Sequence, residues 1–66
     1  MNQLQHDKFI GLSYVMDMTG KSRASIYADM KAKRFPQNIK ISERSARWRL
    51  SDVISWMDSF KVEGNA

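Results

Sequence analysis

The only proline in the chain, Pro36, separates two stretches with different hydrophobic periods. Proline offers no backbone N–H and pushes the residue before it out of helical geometry, so a helix arriving from the N-terminal side has to end by Phe35. After Pro36, Ile39 and Ile41 alternate with Asn38, Lys40 and Ser42, and Ala46, Trp48 and Leu50 alternate with Arg47 and Arg49. That is the two-residue period of strands. A chain of 66 residues has room for one domain, so helices and strands must share one small core.

Before the proline, the pattern predicts two helices around a glycine turn. Ser13 is positioned to cap a short helix, Tyr14 to Met18, with Leu12 packing back on it. Thr19-Gly20 marks the turn, since glycine reaches positive φ without steric cost. Ser22 is the expected N-cap of the second helix, and nothing interrupts that helix from Arg23 to Lys33. Ile26, Met30 and Lys33 then share one face, while Arg23, Tyr27 and Lys31 share another. Val15 and Met18 of the first helix are spaced to meet Ile26 and Met30. Two helices joined by a tight glycine turn, the second basic and opening on small polar residues, read as a helix-turn-helix.

The strand-period residues on either side of Ser42-Glu43-Arg44-Ser45 predict a hairpin with Trp48 inward and Arg47 and Arg49 outward. A lone hairpin is marginal in water, so it should pack on the helices as a wing. Ser51 is the expected cap of a last helix, with Asp52 in its first turn. There Val53, Trp56, Met57 and Phe60 fall at i, i+3, i+4 and i+7, an apolar stripe assigned to the core and not to a binding groove. Met16, Met18, Met30 and Met57 read as core gap-fillers. Phe9 and Ile10 read as a short extended segment lying on the core. The expected architecture is α+β and mostly helical. It is a small winged helix-turn-helix made of short helix, turn, recognition helix, two-stranded β-hairpin wing and C-terminal helix. Residues 9–61 form the domain, between a flexible arm (1–8) and a flexible tail (62–66).

Composition removes several functional classes. Cysteine is absent and His6 is the single histidine, which leaves no thiolate or histidine set for a metal and no base to activate a serine. No glycine-rich phosphate loop occurs, so neither an enzyme nor a cofactor is expected. No apolar run approaches the ~18 residues of a membrane span, and no signal peptide is visible. The expectation is a soluble, cytoplasmic protein without a membrane partner.

Charge points the other way, toward a polyanion. The net charge is +4, but residues 21–49 carry nine cations against Asp29 and Glu43, or +7, while the flanks together carry two cations and five acids, or −3. A basic centre between acidic flanks suits double-stranded DNA. On a helix-turn-helix, Arg23 is placed for direct readout, because guanidinium donates two bonds to guanine O6 and N7. Ala24 and Ser25 permit close approach, and Ala24 suits a thymine methyl. Lys21, with the N–H groups of the turn capped by Ser22, suits a phosphate. Tyr27 and Lys31 lie deeper on the same face and reach phosphates or bases, unless Tyr27 packs on the hairpin instead. Arg44 at the wing tip, with Arg47 and Arg49 beside it, would lie along backbone or minor groove. The alternative for Arg47 and Arg49 is pairing with Glu43 or stacking beside Trp48.

These residues resemble the AlpA-like phage regulators, small winged-helix proteins related to phage excisionases and to the MerR-type DNA-binding domain. The resemblance is carried by T-G-K-S-R-A-S-I-Y at 19–27, R-F-P at 34–36, I-K-I at 39–41, and R-S-A-R-W-R-L-S-D-V at 44–53 followed by Trp56. It implies a role in prophage or integrative-element biology, as an excisionase (recombination directionality factor) or a transcriptional regulator of integrase genes. By position it places the helix from Arg23 to Lys31 in the major groove and the wing around Arg44 on the backbone. It also implies an integrase as a partner, with a monomer in solution assembling cooperatively on DNA. A reading from another class is a protein-interaction module that binds an integrase or another regulator and uses DNA little.

Overall fold

The computed structural model of the chain describes residues 7–60. In order, these form β1 (Phe9–Ile10), α1 (Leu12–Thr19), α2 (Arg23–Lys31), β2 (Ile39–Ser42), β3 (Ser45–Arg49) and α3 (Leu50–Asp58). The change of period at Pro36 is thus a change from helix to sheet. His6 and the tail at 62–66 lie outside the described residues.

The sheet is larger than a hairpin. Its three strands run in the order β1-β3-β2, all antiparallel. β1 joins β3 through Phe9 opposite Arg49 and Ile10 opposite Trp48, which adds a third strand to the expected hairpin wing. A two-residue strand is too short to show a period, so only its partner reveals it. Between β2 and β3, Ile39 faces Arg47, Lys40 faces Ala46, and Ser42 faces Ser45, with a register irregularity between Lys40 and Ser42. The connecting Glu43 and Arg44 both have negative φ. The favoured two-residue hairpin turns need positive φ at one or both of these positions, so the irregular register accompanies a turn of another type.

Helix boundaries depart from the cap signals in three places. α1 starts two residues earlier than expected, with Gly11 at the cap position and no side-chain cap, so Ser13 is inside the helix. Its far end is Gly20 at φ 73, whose N–H donates to the Met16 carbonyl. Thr19 stitches that turn: its hydroxyl donates to the Val15 carbonyl and accepts from the Lys21 N–H at 3.2 Å. α2 starts as expected, Ser22 Oγ accepting from the Ser25 N–H at 3.1 Å. It ends at Lys31 and not at Lys33, because Lys33 turns left-handed at φ 64. The Lys33 N–H then donates to the Met30 carbonyl at 3.0 Å and the Arg34 N–H to the Asp29 carbonyl at 2.8 Å, the two bonds of a Schellman C-cap. Glycine usually fills that left-handed position, and here a lysine does.

α3 starts at Leu50, so Ser51 lies in its first turn and is not its cap. The capping oxygens come from Asp7: Oδ1 accepts from the Ser51 N–H at 3.1 Å and Oδ2 from the Ser51 hydroxyl at 3.0 Å. The Leu50 N–H donates to the Lys8 carbonyl at 2.8 Å. Asp7 and Lys8, assigned from sequence to the arm, are therefore bonded into the fold.

The core takes one or two side chains from every element except β2: Ile10, Val15, Ile26, Met30, Trp48 and Val53, plus Phe35 from the 32–38 linker. Leu12, Met16, Met18, Leu50 and Trp56 pack around it half-buried. α3 departs from its expected all-core stripe. Val53 is fully buried and Trp56 half-buried, but Met57 is exposed and Phe60 is 64% exposed. Ile54 is exposed as well. Both tryptophans turn their N–H groups onto the linker, Trp56 Nε1 donating to the Arg34 carbonyl at 2.8 Å and Trp48 Nε1 to the Pro36 carbonyl at 3.0 Å. Gln37 Nε2 donates to the Met30 carbonyl at 2.7 Å. Buried Trp48 needs a partner for its indole N–H, and together the two bonds pin the path from helix to wing.

Candidate nucleic-acid interface

α2 separates its two faces cleanly. Ile26 and Met30 are buried, which turns Arg23, Tyr27 and Lys31 to solvent at intervals of one turn. The Arg23 guanidinium stands over the Tyr27 ring at 5.9 Å from its centroid, a cation–π contact that orders a long side chain at an exposed site. Tyr27 packs on the hairpin and stays partly exposed. Its ring lies 6.4 Å from that of Trp48, tilted by 60°, yet 40% of the residue remains exposed. At the N-terminal end Ser22 and Ala24 are exposed and Ser25 is half-buried, with the Ser22 hydroxyl occupied as a cap.

The cations divide by partner. Lys21 turns inward: its ammonium bonds Asp29 Oδ2, and it stands 5.7 Å from the centroid of the Trp56 ring. Its side chain is only 20% exposed. Asp29 also faces Arg34, whose Nη2 lies 3.6 Å from Oδ1 but whose side chain is 71% exposed; such exposed pairs contribute little. The Lys21 hydrogen bond holds the Asp29 carboxyl below the ordinary range, against partial desolvation and with help from both neighbouring positive charges. Arg49 pairs with Asp7 at 3.7 Å, not with Glu43. Desolvation pushes the Asp7 carboxyl up, but the bonds from Ser51 and Lys8 and the Arg49 charge outweigh it, and the net shift is downward.

Among the described residues Arg23, Lys31, Lys33, Lys40, Arg44 and Arg47 form no salt bridge. Arg44 is at the exposed tip of the wing, and Lys40 is exposed on β2. Arg47 points outward from the sheet and back over the start of α1, where a Cβ on Gly11 would fall 2.5 Å from its Nη1. Lys33, expected from its spacing on the Ile26 and Met30 face, is instead exposed past the end of α2 and joins Lys40 among the described cations without a salt bridge. An open groove of about 700 Å³ lies between the linker at 33–37 and Asp52, Ser55 and Trp56 of α3. No cluster among the described residues could hold a metal ion, and none of their helices is long and apolar enough to cross a membrane.

Two helices across a glycine turn, with the second helix exposing a basic face and a basic sheet following it, define a winged helix-turn-helix domain. The chain belongs to the family described as Prophage CP4-57 regulatory protein (AlpA), which it matches over residues 8–62. That span takes in every element of the fold. The chain is also 28% identical over 54 residues to the uncharacterized protein ORF88 of Enterobacteria phage P4, covering 82% of this chain and 61% of that one. It thus spans somewhat under two thirds of the length of this curated relative. No solved structure matches it.

Proposed function

We propose that the protein binds double-stranded DNA sequence-specifically as a regulator of a prophage or integrative element. The observation that carries this reading is the face of α2 on which Arg23, Tyr27 and Lys31 are exposed without an acidic partner among the described residues. In the major groove, Arg23 donates to a guanine edge, with Ala24 and Ser25 letting the backbone approach. Tyr27 and Lys31 follow the strand, and Ser22 fixes the first turn against a phosphate. Arg44, supported by Lys40 and Arg47, takes the backbone or minor groove beside it. Lys21 is already engaged by Asp29 and its side chain is only 20% exposed, so it is outside the primary contact set. Arg49, in a half-exposed pair with Asp7, stays available beside Arg47.

Such a protein regulates an integrase promoter or bends an attachment site as a recombination directionality factor, and the two roles differ in where it sits. The deciding experiment is a DNase footprint over the DNA flanking its own gene, including any neighbouring integrase gene and attachment site. Repeated protection along an attachment arm identifies the directionality role; protection at a promoter identifies the regulator. With four to six phosphates neutralised per monomer, binding should weaken with a log–log salt slope of about −4 to −5. No protection at low salt would overturn the DNA reading.

One observation favours a second reading. Ile54 and Met57 of α3 and Phe60 just past its end are exposed apolar residues, as a surface for another protein would have. Salt-insensitive capture of an integrase or another regulator, without DNA protection, would put this interaction module first.

A further inference from the structure

The geometry points to Lys21, Asp29 and Trp56 as positioning residues that set the recognition helix against the wing without touching DNA. This rests on the DNA-binding reading above. The linker at 32–38 is the only covalent path from α2 to β2, and it is held at Arg34 chiefly through the backbone carbonyl. That carbonyl accepts from Trp56 Nε1 at 2.8 Å, and the Arg34 guanidinium faces Asp29. Asp29, three residues before the linker, is in turn bonded by Lys21 from the turn between α1 and α2. Lys21 closes the circuit by standing over the Trp56 ring. That ring packs edge-on against Phe35 at 4.8 Å. One half-buried cation thus ties the turn, the recognition helix, the linker and α3 together. The Trp48 bond to the Pro36 carbonyl anchors the same linker to the wing two residues later.

The charge on Lys21 is consumed inside the protein, although its sequence position is that of a phosphate contact. With its ammonium bonded to Asp29 and its side chain only 20% exposed, Lys21 offers little of its charge to a phosphate. Its contribution to binding is therefore geometric: with the circuit intact, helix and wing meet one duplex at a fixed separation, and ordering the linker costs nothing when DNA binds.

The test compares wild type with Lys21→Met, Trp56→Phe, Lys21→Arg and Arg44→Ala. Each protein is shown by circular dichroism to be folded at the assay temperature. Lys21→Met keeps the aliphatic stem, and Trp56→Phe keeps an aromatic ring while removing the N–H donor. Binding to the footprinted site is measured against salt, with a hydroxyl-radical footprint taken at saturation. Lys21→Met and Trp56→Phe should each weaken binding by at least about threefold, as members of one coupled network do. Their salt slopes should stay at the wild-type value, and wing-side protection should fade while that under α2 persists. Lys21→Arg should restore binding, and Arg44→Ala should lower the slope by about 1. A merely structural role would lower stability but leave the saturated footprint unchanged, and that result overturns the proposal. So does a slope lowered by about 1 in Lys21→Met, which would make Lys21 a phosphate contact. If wild type itself shows no salt-dependent binding, the DNA reading fails first and this proposal with it.

Discussion

α2 and α3 are both nine residues long, yet they are held in opposite ways. α2 carries only two large aliphatic core residues, Ile26 and Met30, and both are buried. It supplies its own N-cap from Ser22, the adjacent residue. α3 has the stronger apolar stripe, but it runs from fully buried Val53 to exposed Met57 and, just past the helix end, 64%-exposed Phe60. Its N-terminus is capped by Asp7, 44 positions away. An apolar stripe states which side of a helix avoids water; whether something covers that side depends on the rest of the chain.

Breaking the comparison should give unequal results. Ile26→Ala should cost about 2–5 kcal/mol, comparable to the roughly 3–5 kcal/mol a core of this size supplies, and leave the protein largely unfolded in a denaturant titration at 25 °C. Phe60→Ala, which loses mainly its edge contact with Trp56 at 4.7 Å, should cost less than about 1 kcal/mol. Equal costs at the two positions would refute the contrast between the helices. At the other end of α2, Lys33→Gly relieves the left-handed backbone and should raise stability by about 0.5–1 kcal/mol; a lower melting temperature would mean the lysine side chain is needed there.

The smallest effects concern the two acids that tether these helices, Asp7 for α3 and Asp29 for α2. Both carboxyls ionise below the ordinary Asp value in the folded protein. Their contribution is therefore complete above about pH 4, where the unfolded chain has also ionised, and is lost as pH falls through the lower folded values. Asp7→Asn and Asp29→Asn should each make stability less dependent on pH across that acid range, with little change in its shape near neutrality. An unchanged acid limb in both variants would show that neither tether draws on its charge.

What could be read from the sequence was what neighbouring residues decide. Pro36 announced the switch from helix to sheet, Ser22 the start of α2, and Thr19-Gly20 the turn before it. The alternation around Trp48 placed that residue inward and Arg47 and Arg49 outward, as found. The exposed trio Arg23, Tyr27 and Lys31 followed from helical spacing alone. What escaped depends on distant partners. Phe9-Ile10 reads as extended, but its pairing with β3 has no period to announce it, and Asp7 becomes a cap only when the fold brings it to Ser51. The left-handed Lys33 carries no glycine to announce it. Lys21 and Arg49 illustrate the same limit within the candidate site: cations are visible in a sequence, but the acids that claim them, Asp29 and Asp7, are found only in space.

The sheet has a last consequence, for behaviour in crowded solution. Strands on the outside of a sheet present unpaired backbone groups that invite other chains to add on, the first step toward aggregation. Here one outer strand is two residues long, and the other is four residues long and loses its regular register at Lys40 to Ser42. Phe9 and Ile41 are exposed on those same strands, yet neither strand offers a long, flat ribbon for a neighbour to copy. A short first strand and an irregular second one let a small protein display apolar side chains without becoming a template for its own fibres.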